Sequence, residues 1–235
     1  MNQATEIVPV IAPVIAIDGP SASGKGTVAE KVADALGYHY LDSGALYRVV
    51  AFAAYRDNIE WNQADVLGDL AQNLDVAFKQ GDIFLEGDCI TEAVRSEEMG
   101  RGASEVAIHP TVRGALLNLQ QSFRKAPGLV ADGRDMGRVV FKDAALKIFL
   151  TASVETRAER RFKQLTLKGI NANYAQILAD LQARDWRDSK RNAAPLMQTD
   201  DAQLLDTTNC SIAQAVEFVL AANQKDSNYV VTATY

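Results

Sequence analysis

The sequence predicts an α/β protein in which a mostly parallel sheet is covered by helices on both faces. A continuously apolar run leads up to Asp18 from residue 14, as expected for a parallel strand buried on both faces, and two more apolar runs of strand length lie at residues 128–132 and 146–150. Stretches with helical periodicity lie between them, so strands and helices alternate along the chain. The 235 residues are 48% hydrophobic and 23% charged. This composition is that of an ordinary globular protein with a sizeable core, and it excludes collagen-like, disordered and disulfide-stapled classes.

The first half of the chain opens with a strand–helix–strand–helix order. The strand at 14–18 stops at a Gly-Pro pair, and apolar residues then recur at helical spacing until Gly37 ends the helix. Residues 38–41 form the second predicted strand. Ser43 is the predicted N-cap of a helix that runs through residue 54.

Between residues 74 and 94 the hydrophobic period changes from helical to roughly two. Gly-Asp pairs at positions 81–82 and 87–88 separate three short alternating segments, which predicts a small antiparallel β insert. Helical patterning returns at residues 104–107 and 110–123.

The second half alternates strands and helices again. A long polar helical hairpin is expected after the strand at 146–150, because residues 169–171 interrupt two helical stretches. Its two helices are predicted at 154–168 and 174–191, a short strand at 204–206, a last helix at 212–222 and a frayed polar tail at 226–235.

Charge and cysteine content exclude further classes. With 24 Lys+Arg against 30 Asp+Glu, the net charge of −6 argues against non-specific nucleic-acid binding as the main activity. Cys89 and Cys210 follow no metal-ligand spacing and only two histidines are present, so a zinc site is not expected and a reducing, cytoplasmic setting is favoured. No stretch approaches the roughly 20 apolar residues of a membrane span. The apolar opening lacks the basic residues of a signal peptide.

The strongest motif lies between the first strand and its helix. A Gly-rich turn at this place points successive backbone N–H groups into one concavity, the helix N-terminus adds positive potential, and a Lys reaches the terminal phosphates. The sequence therefore predicts a phosphate-binding P-loop. The usual pattern has Ser or Thr directly after the Lys as a hydroxyl ligand to Mg²⁺, but Gly26 stands there and Thr27 follows one position later. The loop comprises Gly19, Pro20, Ser21, Ala22, Ser23, Gly24, Lys25, Gly26 and Thr27.

Two other polar segments directly follow predicted strands, where open α/β sheets bind ligands. Asp42 and Ser43, with Arg48 one turn later, are either a helix cap with a surface Arg or a ligand site, and spacing alone leaves both open. The segment from Asp132 to Asp135 is either a polar turn or a group of ligands near the P-loop. Asp132 could orient a hydrated Mg²⁺.

Arginines cluster on the predicted hairpin. Arg157, Arg160 and Arg161 lie together on its first helix, and Arg184, Arg187, Asp188 and Arg191 recur at helical spacing on one face of the second. Residues 157–191 hold 9 Lys+Arg and 4 Asp+Glu, a net of +5, and the remainder of the chain is net −11. These arginines could form a solvated charged face of the hairpin. The more specific interpretation is that the hairpin is a mobile lid that brings cations to phosphates and excludes water.

Four segments together resemble the bacterial-type cytidylate (CMP/dCMP) kinases among the nucleoside monophosphate kinases. The segments are residues 17–27, 41–48, 131–137 and 184–191, and the resemblance spans about residues 14–222. It implies a P-loop NTPase fold of three αβα layers with a parallel sheet, a small antiparallel β insert and a helical-hairpin lid. The implied division is core 1–73, β insert 74–94, core 95–156, Arg-rich lid 157–191, and C-terminal core with tail 192–235.

The resemblance also implies an activity and its residues. It implies transfer of the γ-phosphate of ATP to CMP or dCMP with Mg²⁺, in pyrimidine nucleotide metabolism, by a cytoplasmic monomer without membrane or nucleic-acid partners. Lys25, Arg157 and Arg191 are the implied catalytic cations, and Thr27 and Asp132, the latter through water, the metal contacts. The implied acceptor residues are Asp42, Ser43, Arg48, Ser104, Arg113, Arg134, Asp135, Arg184, Asp188 and Arg191.

Base preference has a physical basis in this resemblance. A carboxylate such as Asp135 that faces the cytosine N4 amino group accepts a hydrogen bond, but it meets a lone pair in uracil. Arg113 and Ser104 can donate to N3 and O2. A wrongly paired buried polar edge costs on the order of 1–3 kcal/mol, and Asp188 resembles the acceptor for ribose hydroxyls.

Other functions remain open at this stage. A P-loop kinase for UMP, AMP or a small hydroxylated metabolite is the nearest alternative. A GTPase-like switch would need an Asn-Lys-x-Asp segment after a strand, which the sequence lacks, and a nucleic-acid-binding module would use the basic hairpin. Structural roles are expected for His39, His109, Trp61 and Trp186.

Overall fold

The computed structural model describes residues 11–79 and 81–230, which form a five-stranded parallel sheet, a three-stranded sheet and the helices around them. The large sheet has the strand order β2-β6-β1-β7-β8, and all of its pairings are parallel. Its strands are β1 (Val14–Asp18), β2 (His39–Asp42), β6 (Leu129–Gly133), β7 (Leu146–Thr151) and β8 (Gln203–Asp206). The small sheet consists of β3 (Val76–Lys79), β4 (Asp82–Leu85) and β5 (Asp88–Cys89), paired antiparallel.

Helices cover both faces of the large sheet, because side chains of β1 alternate between two apolar cores. Val14 and Ala16 belong to a core covered by the helices at residues 43–56, 64–72 and 110–122, whereas Ile15 and Ile17 belong to a core covered by the helices at residues 25–36 and 212–230. The three-layer αβα architecture is therefore confirmed. The helices are α1 (Lys25–Leu36), α2 (Ser43–Arg56), α3 (Ala64–Gln72), α4 (Thr91–Val94), α5 (Glu97–Val106), α6 (Pro110–Ser122), α7 (Val154–Leu167), α8 (Tyr174–Lys190) and α9 (Ile212–Val230).

The predicted β insert and helical hairpin are both present. Ile83 and Leu85 of β4 are buried against apolar residues of α2, so the small sheet is attached to the core. Helices α7 and α8 pack against each other, and each begins at a side-chain cap: Ser153 accepts from the Thr156 N–H at 3.2 Å and Asn173 from the Gln176 N–H at 3.1 Å. Among the described residues, no helix is long and apolar enough to cross a membrane.

Several local predictions were wrong or incomplete. The N-cap of α2 is Asp42, whose carboxylate accepts from the Ala45 N–H at 3.0 Å, and Ser43 is the first helical residue. Both residue types are good caps, so the sequence did not separate them. Helix α3 and the π-helix Met136–Val140 had no predicted counterpart. Helix α9 continues to Val230, into the tail expected to fray, and residues 231–235 lie outside the described part of the chain.

Candidate active site

The P-loop leads from β1 into α1 in a conformation that few side chains permit. Gly24 has a φ of 93°, and a Cβ on Gly19 would lie 1.9 Å from the carbonyl oxygen of Leu150, so only glycine fits there. The Ser23 hydroxyl donates to the Pro20 carbonyl at 3.0 Å and closes the loop on itself. Helix α1 begins without a side-chain cap. No capping side chain therefore occupies its first N–H groups, and such groups can bind an anion.

Carbonyl groups on the outer side of the P-loop are held by the hairpin and by β8. Arg157 donates to the Ser21 carbonyl at 3.1 Å and Arg160 to the Ser23 carbonyl at 3.2 Å. The Thr207 hydroxyl donates to the same Ser23 oxygen at 3.1 Å. Arg157 is only 4% exposed and also pairs with Asp185 of α8. The first arginine cluster of the hairpin thus lies beside the P-loop, where the sequence placed it.

Lys25 faces the end of β6. Its Nζ lies 3.8 Å from Oδ2 of Asp132, and the Tyr40 hydroxyl donates to the other carboxylate oxygen at 2.8 Å. Burial raises the pKa of Asp132, with the nearby Asp42 carboxylate adding to the effect. Burial also lowers the pKa of Lys25, and the positive charge of Arg134 lowers it further. Both groups therefore lie in a poorly solvated place at the carboxyl edge of the sheet.

Arg134 connects the P-loop to the second hairpin helix. Its Nη2 donates to the Ser21 hydroxyl at 2.6 Å and its Nε donates to Oδ2 of Asp188 at 2.9 Å. The Ser104 hydroxyl donates to the other Asp188 oxygen at 3.1 Å, so α5 joins the same network. Burial opposes ionisation of Asp188, yet Arg134, together with Arg191 and Arg184, holds the pKa of this carboxyl below its usual range.

Asp135 is the carboxylate of a second buried cluster. It forms an ion pair with Arg113, and Nη2 of Arg191 lies 3.8 Å from its Oδ1. The Arg113 guanidinium also lies over the Tyr47 ring, 5.7 Å from its centroid. Asp135 is only 3% exposed. The sequence interpretation of residues 132–135 as a mere polar turn is thereby excluded for this residue.

Arg48 and Arg184 lie together over α5. Arg48 donates to the carbonyls of Val94 and Ser96, each at 2.9 Å. A Cβ on Gly100 would lie 3.0 Å from one Arg48 nitrogen and 3.3 Å from one Arg184 nitrogen, so the glycine leaves room for both guanidinium groups. Burial lowers the pKa of Arg184 to about 10, and the like charges of Arg134 and Arg48 contribute. Two crowded, partly desolvated cations favour an anionic ligand.

Several arginine nitrogens of this region are buried without a hydrogen-bond partner among the described residues. A buried donor without an acceptor is costly, and more so when it is charged. Outside this group, only Arg138 Nε and Gln120 Oε1 share that condition in the described part of the chain. The arginine atoms around the acceptor cluster are Arg113 Nη1, Arg184 Nε, Arg187 Nη1 and Arg191 Nη2. The arginine cluster therefore has unused donors suited to a phosphate or a base edge.

The other site residues and aromatic residues singled out from the sequence lie in the following places. Ser43 is buried beneath Gly133, Asp42 is engaged as the cap of α2, and Thr27 is exposed in the first turn of α1. His109 hydrogen-bonds to the Trp61 carbonyl at 2.8 Å, which fits the structural roles expected for this pair. Trp186 of α8 is 68% exposed, which does not fit the structural role expected for it.

Sequence reasoning gave no role to four residues that shape the site. Asp185 and Thr207 hold the hairpin and the P-loop, Tyr40 orients Asp132, and Asp18 binds the start of the π-helix. Asp18, which ends its apolar strand, had a usable signal, because a polar residue at the carboxyl end of a buried strand faces the ligand edge. The others depend on long-range contacts and had no such signal.

The comparisons with known proteins agree with this geometry. A family model described as cytidylate kinase matches residues 15–225. The chain belongs to the cytidylate kinase family. A cytidylate kinase of Cupriavidus necator is 59% identical over 88% of this chain and 93% of its own length. A cytidylate kinase of Polynucleobacter asymbioticus is 57% identical over 88% of this chain and 94% of its own length.

Membership in the cytidylate kinase family confirms the resemblance drawn from the four sequence segments and the expected class of ATP-dependent phosphotransferase. It also counts against the alternative of a nucleic-acid-binding module. The arginines of the hairpin point the same way, because none of the six between residues 157 and 191 is exposed. Arginines engaged within the protein in this way are less available to an external polyanion.

Proposed function

We propose that this chain transfers the γ-phosphate of ATP to CMP or dCMP, giving CDP or dCDP. The observation that carries the proposal is the position of Arg134, which contacts both the P-loop hydroxyl of Ser21 and the acceptor-side carboxylate of Asp188. Through this one side chain, a donor site and an acceptor site are held next to each other. A phosphoryl transfer enzyme needs that arrangement, because its main task is to position two phosphates in line.

The acceptor residues divide by chemistry. Arg48, Arg134 and Arg184 are suited to the acceptor phosphate, since their guanidinium groups converge near α5. Asp188 is suited to ribose hydroxyls, because an ionised carboxylate accepts hydrogen bonds. Asp135 is suited to recognise the base, because it can accept a hydrogen bond from the N4 amino group. Arg113 and Ser104 are the donors to N3 and O2.

The reaction needs little acid–base help from the protein. An oxygen of the acceptor phosphate is already anionic near neutral pH and attacks the γ-phosphorus, while the bond to the β–γ bridging oxygen breaks and ADP leaves. We assign charge neutralisation at the transferring group to Lys25 and Arg191, and to Arg157 from its place against the Ser21 carbonyl. A guanidinium that reaches this group is worth roughly 10³–10⁵ in rate.

The residues at the mouth of the P-loop fit Mg²⁺ that arrives with ATP. This ion prefers hard oxygen ligands and retains several waters. Asp132 brings a carboxylate beside Lys25, and the exposed hydroxyl of Thr27 lies in the first turn of α1. Asp132, through water, and Thr27 would hold the ion, which would supply charge neutralisation between the phosphates.

The proposal includes a setting and a motion. We propose a monomer in the cytoplasm, consistent with two free cysteines in the described part of the chain. Residues 157–191 act as a lid that opens and closes over the donor and acceptor nucleotides, while residues 74–94 stay with the acceptor side. Closure excludes water, which would otherwise hydrolyse ATP.

A nucleotide panel tests the function. ADP release is measured with Mg·ATP and, as acceptors, CMP, dCMP, UMP, AMP and a small hydroxylated carboxylic acid. We expect CMP and dCMP to exceed the others at least tenfold in kcat/KM. Equal or greater ADP release with UMP, AMP or the hydroxy acid would reassign the chain to another acceptor, and steep, salt-dependent RNA binding without kinase activity would indicate a nucleic-acid-binding protein.

Asp135 provides the matching residue-level test. Asp135→Asn keeps the shape but replaces an acceptor with an amide that can donate to uracil O4. We expect the preference for CMP over UMP to fall about tenfold or more, corresponding to the order of 1–3 kcal/mol for a mispaired edge. The Kd for ATP should change little. Unchanged selectivity would remove the base-reading role of Asp135.

A further inference from the structure

Asp18 lies at the end of β1, one residue before the P-loop, yet its side chain serves the acceptor side. Its two carboxylate oxygens accept from consecutive backbone N–H groups, Met136 at 2.8 Å and Gly137 at 2.9 Å. Asp18 is buried, and among the described residues its carboxylate accepts no other hydrogen bond. The hydrogen bonds of the Asp18 carboxylate therefore go to the start of the π-helix and not to the P-loop.

The segment between Gly133 and Gly137 is anchored at both ends to the end of β1 and the residue that follows it. At its first end, the Gly19 N–H donates to the Gly133 carbonyl at 3.3 Å. At its second end, the carboxylate of Asp18 holds two N–H groups. Only Arg134 and Asp135 have no such backbone anchor on β1.

These two residues differ in how their side chains are secured. Arg134 is held by Ser21 and Asp188, so its guanidinium has fixed partners on two elements. Asp135 is held by Arg113 and by the more distant Arg191, and each of these arginines has a buried nitrogen without a hydrogen-bond partner. The place of the Asp135 carboxylate therefore depends more on its backbone, and hence on the next two residues.

We infer that Asp18 is a positioning residue that fixes the Asp135 carboxylate and thereby sets the preference for cytosine over uracil. The inference rests on the proposed function, since it assumes that Asp135 reads the base. A carboxylate suits the task because one rigid group can accept from two parallel N–H donors, which a single amide or hydroxyl oxygen does less well. Misplacing a base-reading group by about 1 Å is enough to reduce selectivity markedly.

The substitution Asp18→Asn tests this inference, because it keeps the size of the side chain and removes one of the two acceptors. We expect the ratio of kcat/KM for CMP to that for UMP to fall about five- to tenfold. The KM for CMP should rise, and the KM for ATP should stay within about twofold. Titration calorimetry without turnover should show the same split, with a weaker Kd for CMP and an unchanged Kd for ATP.

Asp143→Asn is the matched control. Asp143 pairs with Arg124, whose Nε donates to the Ala12 carbonyl just before β1, at the edge of the sheet opposite to the site. This variant loses a carboxylate and an ion pair without touching Asp135, so its selectivity should equal that of the wild type. Asp18→Ser, which leaves one hydroxyl as acceptor, serves as a second test variant.

Three outcomes would overturn the inference. The first is unchanged CMP-to-UMP selectivity in Asp18→Asn, and the second is an equal rise in the KM for ATP and for CMP. The third is loss of the folded state in both Asp18 variants, which would give this residue a purely structural role. Failure of the proposed function is distinguishable, because the wild type itself would then show no preference for CMP.

Discussion

Around the P-loop, polar groups are paired within the protein, whereas around the acceptor pocket several buried arginine nitrogens have no hydrogen-bond partner in the described chain. Ser23 closes the loop, and Arg157, Arg160 and Thr207 hold its carbonyls. On the acceptor side, Arg113, Arg184, Arg187 and Arg191 each have an unpaired nitrogen. The donor site is thus built in advance, and the acceptor site has binding capacity that only a ligand can satisfy.

This difference has an energetic meaning. An unsatisfied buried donor costs on the order of 1–3 kcal/mol, so the acceptor pocket lowers the stability of the protein without ligand. An anionic nucleotide that pairs with these nitrogens recovers that cost on binding. The contrast predicts that substitutions on the donor side reduce turnover, whereas substitutions on the acceptor side reduce turnover or selectivity with little loss of stability.

The largest expected effect is that of Lys25→Met on the donor side. Lys25 is the cation of the P-loop, and loss of one such electrostatic contact costs about a thousandfold in kcat/KM. The thermal midpoint should change little, because the desolvation penalty of Lys25 is removed together with its ion pair to Asp132. Lys31→Met, an exposed residue of the same helix, is the control and should have normal activity. A loss of less than tenfold for Lys25→Met would contradict its role.

The second effect concerns Asp18, at the junction of the two sides. Burial raises the pKa of Asp18 from 3.8 to about 6; nearby Asp135 adds to this rise and Lys25 opposes it. The folded state therefore binds the proton more tightly than the unfolded state, and the wild type loses roughly 3 kcal/mol as the pH rises from about 4 to above 6. Asp18→Asn lacks this loss. Urea unfolding at a series of pH values measures the difference.

Asp143 supplies a control of opposite sign for that titration. The hydrogen bonds from Arg124 hold the pKa of Asp143 below its usual range. Its contribution to stability is therefore present above the unfolded pKa and is lost as the pH falls. The difference between the wild type and Asp143→Asn should increase with pH, whereas that between the wild type and Asp18→Asn should decrease. Parallel slopes for the two pairs would contradict the assignment for Asp18.

The third prediction probes the acceptor side through Arg191→Met. Arg191 is only 8% exposed. Its Nε donates to the Ala194 carbonyl at 2.7 Å, and its Nη2 has no hydrogen-bond partner among the described residues. We expect turnover to fall about a hundredfold, in line with loss of a positioned cation, with little change in the thermal midpoint. Lys190→Met, its exposed neighbour, is the control. Normal specific activity combined with a large loss of stability would show a structural ion pair instead.

The sequence located the elements whose signals are local. The strands that end at Asp18 and Gly133 were found, because apolar runs stop there at a polar or glycine residue, and β2 was found from its place between two helical stretches. The hairpin was found because two polar helical stretches flank a break. The arginine clusters at its base followed from helical spacing alone, and their contacts with the P-loop agree with it.

What the sequence did not predict depends on distant contacts. The π-helix Met136–Val140 begins on the carboxylate of Asp18, more than a hundred positions earlier in the chain. Asp42 and Ser43 were equally good caps, and the choice is made by packing, because Ser43 is buried beneath Gly133. Helix α9 continues through a polar stretch that has no amphipathic signal of its own.

The smallest expected effect is at the contact between the hairpin and the acceptor side. Arg161 of α7 donates to Glu97 of α5 from Nε at 2.6 Å and from a second nitrogen, and Gln164 accepts from its remaining nitrogen. Partly exposed ion pairs are worth about 0.2–1 kcal/mol. Arg161→Met should therefore change the free energy of unfolding by no more than about 1 kcal/mol.

This contact sharpens the comparison between the two sides, because α7 carries donor-side anchors at Arg157 and Arg160 and an acceptor-side contact at Arg161. If the pair favours lid closure, Arg161→Met and Glu97→Gln should each raise the KM for CMP about two- to threefold, and the double variant should raise it no further. Additive effects in this double-mutant cycle would show that the two side chains act separately. An unchanged KM for CMP in all three variants would assign lid closure to the buried contacts of Asp188 and Arg134 alone.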